Sequence, residues 1–143
     1  MPVALVMVLL VILLATRDPA NERLAKSPLV GKQAPPIEGV TLANEPFTLD
    51  RVRGEWVVVN FFGSWAFADS PTAARQFFEK RGGDWPILVQ DTDSIAVSYG
   101  VIKVPESFVV SPSGLVVAKL IGGITADRLD ALIAKYSPPA VTR

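Results

Sequence analysis

The 143-residue sequence predicts an α/β domain with a mixed central sheet flanked by helices, preceded by an apolar N-terminal segment. Three observations predict this fold. A run of strand length at residues 56–62 is apolar except for Asn60, which is typical of a buried strand. Residues 112–114 (PSG) form a hairpin turn between two β-rich runs. The third observation is an apolar stripe at helical spacing near the C-terminus: Leu129, Leu132, Ile133 and Tyr136.

The apolar N-terminal segment spans residues 3–15 without interruption. As a helix it would reach roughly 20 Å, whereas a bilayer core is about 30 Å thick. We expect residues 1–16 to be a membrane anchor or a signal segment, and the uncleaved anchor is favoured because the segment lacks a small-residue cleavage site. A buried core helix is the alternative. Residues 17–30 are polar and contain two prolines, which predicts a linker.

The folded domain is expected at residues 31–137, followed by a tail at residues 138–143. Asn44 lies in a predicted turn, and residues 56–62 are expected to form the centre of the sheet. Ser70 is a candidate N-cap with Pro71 at the first helical position, which predicts a helix of about 11 residues ended by glycine.

The second half of the domain continues the alternation of strands and helices. Residues 86–90 predict a short strand and residues 93–99 a brief helix closed by Gly100. Residues 107–110 and 115–121 are the two β-rich runs of the hairpin. The apolar stripe then forms a final helix capped by Thr125.

Composition excludes several kinds of functional site. The chain has no Cys and no His, so it lacks thiolate nucleophiles, imidazole bases and Cys/His zinc sites. Its 14 basic residues balance 14 acidic ones, which gives no indication of a nucleic-acid partner. Neither a G-x-G-x-x-G nor a P-loop pattern is present, and Asp84, Asp91 and Asp93 lack the spacing of an EF-hand. We therefore expect no metal and no cofactor.

Three motifs together resemble one family. They are LVGKQAP at residues 29–35, RGEWVVVNFFGSW at residues 53–65 and YGVIKVPESF at residues 99–108. In this combination they resemble the thioredoxin-like proteins of cytochrome c maturation, namely the DsbE/CcmG group and its TlpA/ResA relatives. The resemblance implies a thioredoxin-like fold and a single-pass protein of the cytoplasmic membrane whose domain faces the periplasm. It also implies thiol-disulfide exchange, with apocytochrome c or cytochrome c maturation proteins as partners.

The resemblance does not extend to the catalytic motif of the family. The family has C-x-x-C after the tryptophan that matches Trp65, because a helix N-terminus lowers the first thiol's pKa and the second thiol resolves a mixed disulfide. Here residues 66–69 read AFAD, so none of them can exchange disulfides. In one alignment Ala66 and Asp69 simply replace the cysteines. In the other, which is favoured, a block holding C-x-x-C, its helix and the next strand is deleted, and the fold is shortened.

Four residues remain as candidates for binding a peptide, with no catalytic residue expected. The resemblance implies a cis bond between Val104 and Pro105, beside a backbone edge that could pair with an extended peptide. Glu106 follows this proline, and Trp65 could present an aromatic face to the same peptide. Three of the four have a structural alternative: strand initiation for Pro105, a structural carboxylate for Glu106 and packing over the sheet end for Trp65.

The sequence therefore predicts a member of a thiol-disulfide oxidoreductase family that is itself redox-inactive. Its remaining function would be to bind a peptide or an apocytochrome. The alternative is a non-functional, internally deleted product of an active gene of this family.

Overall fold

The computed structural model describes residues 23–63, 71–82, 85–89 and 92–138. The bounds of the elements in this part of the chain are β1 Arg23–Ala25, β2 Glu38–Val40, β3 Pro46–Thr48, a 3-10 helix Leu49–Val52, β4 Val57–Phe61, α1 Pro71–Arg81, α2 Thr92–Ser98, β5 Glu106–Val110, β6 Val116–Ile121 and α3 Ala126–Tyr136. Among these residues no helix is both long and apolar enough to cross a membrane. The apolar segment at residues 3–15 and the tail from residue 139 onward lie outside the described residues.

The main sheet has the strand order β1-β6-β5-β4, and every pairing in it is antiparallel. A separate antiparallel hairpin is formed by β2 and β3. The expected mixed sheet is therefore corrected to an antiparallel one in the described part of the chain. The predicted hairpin is confirmed: β5 and β6 are joined across Gly114, whose φ of +84° is the left-handed conformation that glycine adopts without steric cost.

The prediction of a strand at residues 86–90 is wrong for residues 86–89, the part of it that the structure describes. Within residues 85–89, Leu88 makes only an isolated antiparallel bridge to Thr41, and the Leu42 amide donates to the Ile87 carbonyl at 2.9 Å. These contacts join the segment to the turn between β2 and β3 and give it no ladder in the main sheet. The segment thus satisfies part of its backbone against that turn instead.

The apolar sequence of β4 predicted a strand at the centre of the sheet. In the described part of the chain, β4 lies instead at the end of the sheet. It pairs with β5, from Val57 opposite Val110 to Phe61 opposite Glu106, and is the last strand in the order. Its valines are half-buried and Asn60 is exposed. A central strand would be paired on both sides and buried on both faces, so the sequence of β4 is more apolar than its position requires.

The segment predicted as a linker at residues 17–30 contains β1, so the sheet begins earlier than expected. Arg23 lies opposite Ile121 and Ala25 opposite Lys119. Leu24 is 53% exposed, because the strand is held by its backbone and buries little of its side chains. No apolar alternation marks such an edge strand in the sequence.

Two apolar clusters cover the two faces of the sheet. Adjacent residues of β5 point to opposite faces, so Phe108 and Val110 belong to one cluster and Val109 to the other. The first cluster also contains Ile37, Tyr99 and Val116. The second is closed by α3 through Leu132, packed with Ala118 and Leu120.

The three predicted helices are confirmed. α1 begins at Pro71 and has the expected 11 residues. α2 ends before Gly100, whose φ of +63° lets the chain turn into the next segment. The Thr125 hydroxyl accepts a hydrogen bond from the Arg128 amide at 3.4 Å and caps α3, as the sequence predicted.

Candidate functional site

The candidate site is built on the loop between α2 and β5, which is called the 100–105 loop below. Val101 packs against the first apolar cluster and its amide donates to the Ala96 carbonyl at 3.0 Å. The next side chain, Ile102, is 84% exposed. The loop therefore leaves the core at Val101 and runs over the surface before entering β5 at Glu106.

The Val104–Pro105 peptide bond is cis, as predicted. The Pro105 carbonyl accepts a hydrogen bond from the Gly122 amide at 3.0 Å, which ties this end of the loop to the end of β6. Val104 is half-buried, and its amide and carbonyl make no hydrogen bond within the described part of the chain. In the described part of the chain, the backbone of Val104 is therefore an unpaired edge, and the next residue, Pro105, is held by Gly122.

Glu106 is buried, with 1% of its surface exposed. Its Oε1 accepts a hydrogen bond from the Lys103 amide at 3.3 Å, and its Oε2 lies 2.9 Å from Lys119 Nζ. The Glu106–Lys119 contact is an ion pair that lacks the alignment of a hydrogen bond. Glu106 thus has the structural role that the sequence left open, and it does not face a peptide directly.

Lys119 was not identified from the sequence. It lies in β6 with 6% of its surface exposed, and its Nζ donates to the Gly100 carbonyl at 3.3 Å. The same Nζ lies 5.2 Å from the centre of the Phe108 ring, within the range of a cation–π contact. The sequence signal for Lys119 was a single charged residue inside an apolar run. A lysine in such a run is expected to be buried and therefore to have a partner.

Three aromatic rings support the loop from below. The centroids of Phe61 and Tyr99 are 5.3 Å apart, and those of Tyr99 and Phe108 are 5.1 Å apart. Burial raises the pKa of the Tyr99 phenol to about 12, because the apolar surroundings disfavour the phenolate. The three rings therefore form an aromatic group at the start of the loop, and its tyrosine keeps its phenol proton at neutral pH.

Three of the candidate positions lie outside the described residues: Trp65, Ala66 and Asp69. The structure brings Val104, Pro105 and Glu106 together as consecutive residues at the start of β5. In the described part of the chain no three acidic residues come together in a way that could hold a metal ion. The site as described offers backbone groups and a neutral ion pair, and it offers no nucleophile.

The fold is similar to solved structures of thiol-disulfide exchange proteins. The thiol:disulfide interchange protein from Chlorobium tepidum TLS gives a TM-score of 0.61 at 20% sequence identity, covering 78% of this chain and 98% of that one. The thioredoxin domain of a thiol-disulfide oxidoreductase from Bacteroides vulgatus gives 0.63 at 20% identity, covering 78% of this chain and all of that domain. The fold is thioredoxin-like. Its antiparallel β5–β6 hairpin followed by α3 is the thioredoxin-like end of the domain that the sequence predicted.

The sequence is also similar to proteins named for thiol-disulfide exchange. It is 23% identical over 137 residues to the thiol-disulfide oxidoreductase ResA of Bacillus anthracis, covering 76% of this chain and 79% of ResA. It is 28% identical over 137 residues to the thiol:disulfide interchange protein HelX of Rhodobacter capsulatus, covering 74% of this chain and 78% of HelX. No model of a known protein family matches the sequence. The chain is thus similar in sequence to a thiol-disulfide oxidoreductase and to a thiol:disulfide interchange protein.

The two relatives are longer than this chain within the aligned region. Both alignments run over 137 residues, yet 76% and 74% of 143 residues are only about 109 and about 106 residues. About 30 positions of each alignment therefore have no counterpart in this chain. A helix of about 11 residues and a strand of about 5, with their connections, need nearly this length.

Proposed function

We propose that this chain is a redox-inactive thioredoxin-like domain that binds extended peptides at the free backbone edge of Val104. The observation that carries the proposal is the half-buried Val104, whose amide and carbonyl have no hydrogen-bond partner in the described part of the chain. Half-buried backbone groups of this kind are stabilised when an added strand supplies the missing partners.

The neighbouring residues define what such a peptide would meet. The Pro105 carbonyl already binds the Gly122 amide, so Val104, and not Pro105, can pair with an added strand at this point. Ile102 is 84% exposed beside it and could pack against an apolar side chain of the peptide. The family resemblance supplies the class of peptide, namely apocytochrome c or another cytochrome c maturation protein. Binding would be non-covalent, because the chain has no cysteine to form a mixed disulfide.

The lack of cysteine fits deletion of a block better than two substitutions. The alignments leave about 30 positions of each relative without a counterpart. In addition, β4 has a partner on one side only within the described residues, although its sequence has the apolar character of a strand paired on both sides. Loss of a helix and the strand beside β4 would account for both observations.

The proposal also includes the location of the domain. Residues 3–15 would anchor the chain in the cytoplasmic membrane, with the domain on the periplasmic side. An anchored domain would meet an unfolded partner as it leaves the membrane, where a non-covalent peptide site could hold it.

Binding of a peptide with the haem-attachment sequence Cys-x-x-Cys-His to the full-length chain tests the proposal. Fluorescence anisotropy should detect binding, and a peptide with both cysteines changed to serine should bind equally well. N-methylation of the peptide amide that pairs with Val104 should weaken binding by up to about tenfold, because one hydrogen bond is lost. A scan of N-methyl groups along the peptide should find this effect only at alternate positions, since successive amides of a strand point in opposite directions.

Two results would contradict the proposal. One is the absence of binding to any extended peptide, and the other is binding that depends on the cysteines but is insensitive to N-methylation. The first result would favour the alternative, in which the chain is a non-functional, internally deleted product. Sequencing of the locus for an intact copy with Trp-Cys-x-x-Cys would then decide that alternative.

A further inference from the structure

The buried ion pair of Glu106 and Lys119 follows from the register of the sheet. Glu106 lies opposite Ile121 and Phe108 lies opposite Lys119, so the two charged residues are diagonal neighbours on adjacent strands. Diagonal neighbours are about 7–8 Å apart, a distance that a long side chain spans. Both side chains occupy the face of the sheet that carries Phe108 and the first apolar cluster.

Stability alone does not account for two buried charges at this position. Removing a carboxylate and an ammonium group from water carries a large cost, and well-packed apolar residues often serve as well or better in such places. Phe108 and Val110, the next residues of β5 on this face, are apolar and buried. The function of the pair is therefore better sought in the contacts that it makes with the backbone of the 100–105 loop.

The ion pair holds the loop at two points. Lys119 Nζ binds the carbonyl of Gly100, the first residue of the loop, at 3.3 Å. Glu106 Oε1 accepts from the amide of Lys103, the residue immediately before Val104, at 3.3 Å. A third contact, from the Gly122 amide to the Pro105 carbonyl, holds the residue immediately after Val104.

Val104 thus lies between two fixed neighbours, and within the described residues the backbone of Lys103 is held only through Glu106. We propose that Lys119 is a positioning residue that keeps the Val104 edge in the geometry required to pair with a peptide. It acts by neutralising and orienting the Glu106 carboxylate and by fixing Gly100. This proposal rests on the proposed function, because it assigns Lys119 a part in the same peptide site.

Without Lys119, the buried Glu106 carboxylate would lose the ion-pair partner that it has in the described part of the chain. Such a group becomes hydrated or moves toward solvent, because an unpaired charge in an apolar layer is strongly unfavourable. Either change would remove the acceptor of the Lys103 amide and release the residue next to Val104.

The test separates positioning from stability with three variants of the full-length chain. Glu106→Met with Lys119→Met replaces the ion pair by apolar side chains of similar length. Lys119→Arg keeps the charge, and Lys135→Met is the control, a lysine-to-methionine change at an exposed position of α3. For each variant, denaturant unfolding gives the stability, anisotropy gives the affinity for the Cys-x-x-Cys-His peptide, and hydrogen exchange gives the protection of the Lys103 amide.

We expect the double methionine variant to keep at least the wild-type stability, to bind the peptide about tenfold more weakly and to exchange the Lys103 amide about tenfold faster. Lys119→Arg should stay within about threefold of the wild type in both affinity and exchange, and Lys135→Met should change neither. Unchanged affinity and unchanged Lys103 exchange in the double variant would overturn the proposal. Weaker binding that merely follows a loss of stability would overturn it as well.

The readouts also separate this proposal from the proposed function. If the wild-type chain binds no peptide, the proposed function fails, but faster Lys103 exchange in the double variant would still show that the pair positions the loop. If the double variant does not fold, Glu106→Gln with Lys119→Met replaces it. This pair keeps a neutral acceptor, which binds an amide less strongly than a carboxylate does. For this variant we expect a smaller loss of peptide affinity and a smaller increase in Lys103 amide exchange than for the double methionine variant. Affinity and exchange equal to those of the wild type would overturn the proposal.

Discussion

The phenol oxygen of Tyr99 lies 2.9 Å from the carbonyl oxygen of Pro35, and the hydroxyl donates a hydrogen bond to it. This bond joins the residue that follows α2 to the segment that leads into β2, across 64 positions of sequence. Tyr99 is 1% exposed and its ring contacts Phe61 and Phe108. The contact therefore fastens the start of the 100–105 loop to the segment before β2.

Tyr99→Phe should lower the free energy of unfolding by about 1–2 kcal/mol, because the ring stays in place while the Pro35 carbonyl loses its donor. Urea unfolding followed by circular dichroism measures the change. Tyr136→Phe, at an exposed position of α3, is the matched control and should be neutral. Equal stability of Tyr99→Phe and the wild type would show that the hydrogen bond contributes nothing.

The same tyrosine predicts a loss of stability at high pH. Burial raises the pKa of Tyr99 from 10.0 to about 12, so the folded chain holds the phenol proton more tightly than the unfolded chain does. This contribution to stability is fully present below pH 10 and is lost as the pH rises through about 12. Urea unfolding at several pH values between 9 and 12 should show a steeper decline for the wild type than for Tyr99→Phe. Parallel curves for the two proteins would contradict this assignment.

α3 is attached to the sheet mainly by Leu132, the one buried side chain of that helix, at 5% exposure. Leu132→Ala should cost about 2–5 kcal/mol, because it removes apolar contacts with Leu120 and Ala118 and leaves a cavity. Thermal unfolding should show a clearly lower midpoint. Lys135→Ala on the exposed face of the same helix should stay within about 0.5 kcal/mol of the wild type. Similar effects of both variants would mean that α3 does not pack as described.

The two alignments around Trp65 predict different outcomes for a pair of new cysteines. If Ala66 and Asp69 occupied the positions of the family's cysteines, Ala66→Cys with Asp69→Cys would form a disulfide, since the Cα atoms would be roughly 4.4–6.8 Å apart. The deletion alignment, which is favoured here, predicts that this pair stays reduced. Thiol titration after mild oxidation measures the difference.

The positive control for that experiment is Asn60→Cys with Ser107→Cys. These residues lie directly opposite each other on β4 and β5, and the Ser107 hydroxyl donates to Asn60 Oδ1 at 3.1 Å. The control pair should oxidise readily. Oxidation of the Ala66/Asp69 pair to the same extent would favour simple substitution of the cysteines.

The elements that could be predicted from the sequence are those with local signals. Pro71 at a helix start, Thr125 as an N-cap and Gly100 after a helix each act on their own neighbours, so α1, α2 and α3 could be placed without knowledge of the rest. The β5–β6 hairpin was equally predictable, because the tight turn at Gly114 brings together two apolar runs.

The features that could not be predicted depend on contacts between distant residues. β1 is held by backbone pairing with β6, and its exposed Leu24 gives no pattern. β4 has the sequence of a central strand, but its position depends on which segments of the chain remain to pair with it. Lys119 could be recognised as unusual, but its partner Glu106 is found only once the register of β5 and β6 is known.

Chemical-shift mapping on the full-length, ¹⁵N-labelled chain tests most directly whether peptides bind at Val104. On titration with the serine form of the Cys-x-x-Cys-His peptide, the largest amide shifts should occur at Ile102, Lys103 and Val104. The Val104 amide should move downfield as it gains a hydrogen bond, and its exchange with solvent should slow. Saturable shifts confined to other surfaces, with the 100–105 loop unchanged at full occupancy, would contradict the account.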